Sequence, residues 1–144
     1  MIERKISSQL KEQLGSAQYN VDATSYNRRV LLVGDVASEE VKNKVAEIAK
    51  NVPNVAGVIN ELSPTFLHAP AGDAMVTSNV KARLVTNNEG RFSPTHIKVI
   101  TENSVVYLMG LVTQQEAEAA TEVARNSKGV ERVVKVFEYI EKTP

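Results

Sequence analysis

The chain has 144 residues, with 17 basic and 17 acidic side chains and no cysteine. The lack of cysteine excludes disulfides, thiolate zinc sites, iron–sulfur clusters and cysteine catalysis. The formal net charge of zero argues against a nucleic-acid partner, because a duplex binder needs a basic surface that neutralises phosphates.

The first half of the chain predicts a helix, two strands, a second helix and a third strand. Apolar residues recur every four positions from residue 2 to residue 14, which is typical of a helix with one buried face. A two-residue alternation at 21–25 predicts a strand, and a polar turn at 26–29 leads to an apolar strand that ends at Gly34. Ser38 is expected to cap the second helix. Its predicted inward residues are Val41, Val45, Ile48, Ala49 and Val52.

The second half predicts the same order of elements. Val76, Val80 and Leu84 mark a helix for which Asp73 is the expected N-cap. Strands follow at 97–101 and up to Gly110, separated by a polar turn at 102–104. A helix that starts near Thr113 has the predicted inward residues Ala117, Ala120, Val123 and Ala124, and a last strand covers 133–140.

The two halves are copies of one unit. Residues 27–36 match residues 103–112 at an offset of 76, so that Gly34 and Gly110 are equivalent. Either glycine is expected to supply a positive φ or to allow two backbones to approach closely. The repeated αββαβ order predicts an α+β protein, in which each unit is a small three-stranded mixed sheet with two helices on one face.

The predicted domain boundaries follow from an uncharged segment between the units. Residues 63–72 contain no acidic or basic side chain but two prolines and one glycine, which is typical of a linker. We therefore expect domains at 1–62 and 73–144. Domains of this size bury little surface alone, so they are expected to dock on one another.

No arrangement of residues indicates catalysis, and no enzyme activity, small-molecule substrate, cofactor or metal is expected. His68 in the linker and His96 before a strand lack an orienting partner in the sequence, so both are interpreted as solvated loop histidines. The acidic pairs Glu39–Glu40 and Glu116/Glu118 lie at helix starts, where they complement the helix dipole. Arg28 and Arg29 are interpreted as a solvated hairpin tip rather than an anion site.

The helix that opens the second unit is unusual because its predicted outward side is also apolar. At 100° per residue, the side opposite the core stripe holds Ala74, Met75, Ser78, Ala82 and Val85. The equivalent helix of the first unit has Arg4, Ser8 and Lys11 there. This difference indicates a partner surface. From the residues alone, this apolar side could either dock on the first unit or contact a membrane. Of the two, docking on a neighbouring domain is the more common role of such a surface.

The repeated units resemble BON domains, and the resemblance covers nearly the whole chain. It is carried by a V-x-L-x-G pattern at each glycine-ended strand and a later G-V-x-x-V, which the segments 30–34, 58–61, 99–103 and 108–113 illustrate. The same segments resemble the dual-BON-domain lipoproteins of Gram-negative envelopes, the DolP group. That resemblance implies a non-catalytic protein that binds anionic phospholipid and supports outer-membrane integrity. It further implies a periplasmic, outer-membrane location through a lipid anchor on an N-terminal cysteine, which this chain does not contain.

In the group, the first helix of the second domain contacts lipid, and this favours membrane contact over docking for the apolar outward side. We expect Met75, Ala82 and Val85 to insert into the membrane interface, with Ser78 beside them. Lys81 and Arg83 are expected to face lipid phosphate, and Phe92 is expected to act as an additional wedge. The alternative function is a protein-interaction module that recruits an envelope partner through an open sheet edge or an interdomain surface. The candidate edge is the last strand, 133–140.

Overall fold

The computed structural model describes residues 2–14, 19–64 and 73–141. The chain divides into two compact units, Met1–His68 and Ala69–Pro144. In the described part, the first unit contains α1 (Ile2–Leu14), β1 (Tyr19–Tyr26), β2 (Arg29–Val36), α2 (Glu39–Lys50) and β3 (Gly57–Ser63). The second contains α3 (Asp73–Thr86), β4 (Ile97–Glu102), β5 (Val105–Val112), α4 (Gln114–Arg125) and β6 (Arg132–Tyr139), with a short 3-10 turn at Pro94–His96 before β4.

Each unit holds a three-stranded mixed sheet within the described residues. In the first, the order is β1-β2-β3, with β1 antiparallel and β3 parallel to the central β2. In the second, the order is β4-β5-β6, again with one antiparallel and one parallel neighbour of the central strand. The predicted α+β class and the αββαβ order are therefore confirmed.

Both helices of a unit pack on the same face of its sheet. Alternate residues of the central strand point to one side, and it is these residues that join the helix side chains in a single core cluster. In the first unit the cluster includes Ile6, Leu10, Val30, Leu32, Val45 and Ala49. In the second it includes Val76, Val80, Leu84, Val106, Leu108 and Ala120. The predicted inward stripe of α3 is thus buried. In α1 the structure buries Ile6 and Leu10, and the predicted stripe residues Ile2 and Leu14 at its two ends are partly buried.

The two predicted hairpin turns are two-residue turns with left-handed backbone at both positions. Asn27 and Arg28 have φ values of 50° and 64°, and Asn103 and Ser104 have values of 53° and 67°. This conformation is typical of type I′ turns, whose twist matches that of paired strands. Arg28 also donates from Nε to the carbonyl oxygen of Asn54 at 2.9 Å. Its side chain therefore braces the loop before β3.

Polar side chains cap the second helix of each unit, and for Ser38 the sequence predicts this cap. The hydroxyl of Ser38 accepts a hydrogen bond from the Val41 backbone N–H at 3.3 Å. Thr113 accepts one from the Glu116 N–H at 3.1 Å, and the Glu116 carboxylate accepts one from the Thr113 N–H at 2.8 Å. This reciprocal pair is a capping box, so the structure assigns Glu116 a local structural role.

Candidate functional site

The outward side of α3 is apolar and exposed, as the sequence predicts. We call the five exposed residues Ala74, Met75, Ser78, Ala82 and Val85 the outer face of α3. Met75 is 70% exposed and Val85 is 62% exposed, and both are among the few large apolar side chains with such exposure in the described residues. Val85 lies ten positions after Met75, which corresponds to about 15 Å along the helix axis. The outer face therefore presents two separated apolar side chains on one rigid element.

The two cations predicted beside this face differ in their surroundings. Lys81 is exposed, and it lines a shallow groove with Leu84, Val85, Pro94, Thr95 and Ile97. Arg83 is half-buried, and its Nε is buried without a hydrogen-bond partner. The reason is the helical period, because Arg83 lies only about 60° from the centre of the buried stripe. Lys81 therefore borders the outer face, whereas the Nε side of Arg83 is turned into the unit.

The structure corrects the expectation that Phe92 acts as a wedge beside the outer face. Its side chain is 5% exposed and belongs to the core cluster that contains Val76, Val80 and Leu84. The segment after α3 thus folds back over the unit before the 3-10 turn leads into β4. Because its ring is packed inside, Phe92 serves as a core residue.

Hydrogen bonds fix the beginning of α3 to the neighbouring strands. The Asp73 carboxylate accepts bonds from the backbone N–H groups of Asn103 and Ser104 at 2.8 and 2.9 Å. Thr77 donates from its hydroxyl to that of Thr101 at 2.7 Å. The structure therefore gives Asp73 a role other than the predicted N-cap, since its carboxylate holds the β4–β5 turn. This connection joins residues about 30 positions apart, and no local sequence pattern contains it.

Side chains also cover the carbonyl groups at the end of α3. The Asn88 amide nitrogen donates to the carbonyl oxygens of Leu84 and Val85 at 3.3 and 2.9 Å. Arg91 donates from its guanidinium to the carbonyl oxygens of Asn88 and Asn87 at 3.3 and 3.4 Å. The helix end therefore carries a fixed cation. The sequence offered one signal for this arrangement, the position of Arg91 shortly after the helix, where basic residues offset the dipole.

Comparison with known proteins identifies the family. The BON domain family matches residues 1–63 and again residues 72–141. The chain belongs to the BON domain family. It is 42% identical over 128 residues to the outer membrane lipoprotein DolP of Haemophilus influenzae, and the match covers 87% of this chain and 65% of that protein. The chain thus spans slightly less than two thirds of this relative.

Two further proteins are similar to the chain. A 21 kDa hemolysin of Actinobacillus pleuropneumoniae is 36% identical over 138 residues, which cover 93% of this chain and 67% of that protein. Among solved structures, CdsD, a structural protein of the type III secretion system of Chlamydia trachomatis, aligns with a TM-score of 0.40 and 10% identity. That alignment covers 96% of this chain and 92% of the other.

The first BON domain does not share the apolar outer face. On α1 the equivalent positions Arg4, Ser8 and Lys11 are exposed and polar. A groove of about 400 Å³ lies beside this helix, and Lys5, Lys44 and Ile48 are among its lining residues. The two BON domains therefore have the same fold but present different chemistry on their first helices.

One of the two histidines lies within the described residues. His96 lies half-buried in the 3-10 turn, and His68 falls outside the described residues, as do residues 65–72 of the predicted linker. Within 2–14, 19–64 and 73–141, no three His, Asp or Glu residues form a group that could hold a metal ion. In the same ranges, no helix has the length and apolar character needed to cross a bilayer.

The last strand lies at an edge of its sheet, as the protein-interaction alternative requires. In the order β4-β5-β6, the strand β6 pairs with β5 on one side. It is eight residues long and ends at Tyr139, which is 48% exposed. An edge of this length can accept an additional strand.

Proposed function

We propose that this BON-domain protein is a non-catalytic component of the bacterial envelope that associates with the outer membrane and supports its integrity. Membership of the BON family and 42% identity to a protein named an outer membrane lipoprotein support the envelope role. We further propose a periplasmic position at the outer membrane. The resemblance implies that a lipid anchor holds it there.

The proposed activity is the binding of anionic phospholipid by the outer face of α3. Met75, Ala82 and Val85 enter the interface, Ser78 lies between them, and Lys81 meets lipid phosphate. The exposure of Met75 and Val85, at 70% and 62%, is the observation that carries this proposal. In water this apolar surface is unfavourable, and a bilayer interface would remove it from solvent.

The expected strength of binding is modest. Full burial of a side chain such as Met75 or Val85 stabilises the bound state by about 1.5–3 kcal/mol. A cation such as Lys81 near an anionic surface adds about 1 kcal/mol. These contributions suffice for reversible attachment when a second anchor keeps the domain close to the surface. A lipidated terminus would be such an anchor, and the relative at 42% identity is named a lipoprotein.

The test is partitioning of the chain onto vesicles of phosphatidylcholine with and without phosphatidylglycerol. In a Met75→Asp/Val85→Asp variant, insertion of the outer face becomes unfavourable, and binding to the anionic vesicles should be lost. Gln114→Glu/Gln115→Glu is the matched control, because it adds the same charge at exposed positions of α4 in the same domain. The control should retain most of the binding.

A gain-of-binding variant makes the test sharper. Met75→Trp should bind the same vesicles more strongly, because Trp prefers the membrane–water interface. All variants are compared after circular dichroism has shown that they are folded. Unchanged binding of the folded double variant would refute the proposed lipid surface.

A second candidate function is recruitment of a protein partner through the edge of β6. The position of β6 in the sheet is the observation that favours it. Photo-crosslinking from Lys135, an exposed residue of β6, would be expected to trap an envelope protein in cells. A trapped partner together with an absence of vesicle binding would favour this function over lipid binding.

A further inference from the structure

A cation lies shortly after the end of α3. Arg91 is exposed, and its guanidinium is held by the carbonyl oxygens of Asn88 and Asn87. These carbonyls belong to the segment that continues the helix, since Asn87 N–H still donates to the Arg83 carbonyl at 2.8 Å. Arg91 is therefore anchored to the helix terminus.

We propose that Arg91 acts with Lys81 as a cation that binds the phosphate of an anionic phospholipid beside Val85. This inference rests on the proposed function and names a further residue of the same surface. The ligand is the phosphate of a lipid headgroup in a bilayer.

The hydrogen-bonding capacity of Arg91 supports this role. A guanidinium has five N–H donors, and the two bonds to Asn88 and Asn87 use two of them. Three donors remain in a side chain that these two long hydrogen bonds restrain. Because arginine binds phosphate through its planar set of donors, a fixed guanidinium loses little freedom when a headgroup binds.

The electrostatics of a helix lying on an anionic membrane lead to the same residue. The carboxyl-terminal end of a helix carries a partial negative charge, which anionic headgroups would avoid. Arg91 bonds the carbonyl oxygens of Asn88 and Asn87 just after this end. The amide of Asn88 covers the carbonyl oxygens of Leu84 and Val85 within the helix. Arg91 therefore removes an unfavourable charge and supplies a favourable one.

The proposed headgroup site lies next to Val85, the side chain that is expected to insert. Lys81 lies one turn before Val85 and lines the same groove. After Val85, Asn88 donates from its side-chain amide to the Val85 carbonyl oxygen, and its own carbonyl oxygen accepts from Arg91. Exposed cations thus lie on both sides of Val85 along the chain. Arg83 is less suited, because its Nε is buried.

The experiment compares Arg91→Gln with Arg83→Gln, two variants with the same loss of charge. Arg91→Gln should weaken partitioning onto phosphatidylglycerol vesicles about fivefold, the effect of one basic residue near an anionic surface. It should also reduce the salt dependence of binding. Arg83→Gln should change both quantities less. Arg91→Lys should retain the salt dependence, because it keeps the charge, while it loses part of the affinity with the planar donor set.

The outcomes separate this inference from the proposed function. If the Met75→Asp/Val85→Asp variant binds normally, the proposed function itself fails. If that variant loses binding but Arg91→Gln does not, or if Arg83→Gln has an equal effect, only the role of Arg91 is overturned. A titration with inorganic phosphate, monitored by NMR at the Arg91 amide, is the remaining experiment. Weak, non-saturating shifts are expected, whereas saturable binding that leaves vesicle partitioning unchanged would assign the residue to free phosphate.

Discussion

Asp73, the first residue of α3, holds Ser104 in the turn between β4 and β5, because its carboxylate accepts the Ser104 backbone N–H at 2.9 Å. The same carboxylate accepts the N–H of Asn103 at 2.8 Å. Both turn residues have left-handed backbone, so their N–H groups point together toward one acceptor. The beginning of α3, the helix that we propose contacts lipid, is thus fixed to the sheet of its own domain.

Replacement of Asp73 by Ala should destabilise the second BON domain. Two backbone N–H groups would lose a charged acceptor, and we expect the free energy of unfolding to fall by about 1–3 kcal/mol, since Asp73 is only half-buried. Asp73→Asn keeps one acceptor oxygen and should lie between wild type and Asp73→Ala. Urea unfolding followed by NMR measures the effect domain by domain. Equal stability of all three proteins would contradict the importance of these bonds.

The glycines at the end of each central strand predict a graded effect of Ala substitution. A Cβ on Gly34 would overlap the Asn20 carbonyl oxygen, and one on Gly110 would overlap that of His96. Gly34 also has a φ of 125°, so its substitution adds backbone strain. We expect losses of unfolding free energy of about 1–3 kcal/mol for Gly110→Ala and a larger loss for Gly34→Ala.

Gly57 is the control for these substitutions. It lies in β3, and a Cβ there would meet no atom within 4 Å. Gly57→Ala should therefore change the unfolding free energy little, or increase it slightly through the unfolded state. Thermal denaturation of the three variants gives the order of stability. A Gly57→Ala variant that is the least stable of the three would contradict the argument from close backbone approach.

Periodic features of the sequence predicted the fold because they depend on geometry within one element. Val76, Val80 and Leu84 recur at the helical spacing, and the structure buries all three. Equivalent glycines at an offset of 76 predicted either a positive φ or a close backbone approach. Both glycines make a close approach, and Gly34 also has a positive φ. The outer face of α3 was predictable for the same reason, because the exposed positions are set by the buried ones.

The features that the sequence did not predict depend on contacts between distant segments. The Asp73 carboxylate reaches a turn about 30 residues away, and Phe92 returns to the core from a segment without periodicity. From composition alone, an aromatic residue next to Arg91 in a loop suggests that both side chains lie at a membrane interface. Only the path of the chain shows that Phe92 points inward whereas Arg91 is exposed.

The burial of Phe92 leads to a prediction about stability rather than binding. Phe92→Ala would open a cavity among Val76, Val80 and Leu84, and large core aromatics cost about 3–5 kcal/mol when truncated. A small domain should then be largely unfolded at room temperature. Phe92→Leu fills most of the space, so this variant should remain folded and bind phosphatidylglycerol vesicles as wild type does. Weaker binding by a folded Phe92→Leu protein would restore the wedge interpretation.

The acidic residue beside Arg91 predicts a variant with stronger binding. Glu89 is exposed in the same turn as Arg91, where its carboxylate would repel an anionic surface. Glu89→Gln should therefore increase partitioning onto phosphatidylglycerol vesicles severalfold, and the increase should shrink at high salt as charges are screened. Glu118→Gln is the matched control, because it removes the same charge from an exposed position of α4. An equal increase in both variants would indicate a general effect of net charge, and it would argue against a local phosphate site at the end of α3.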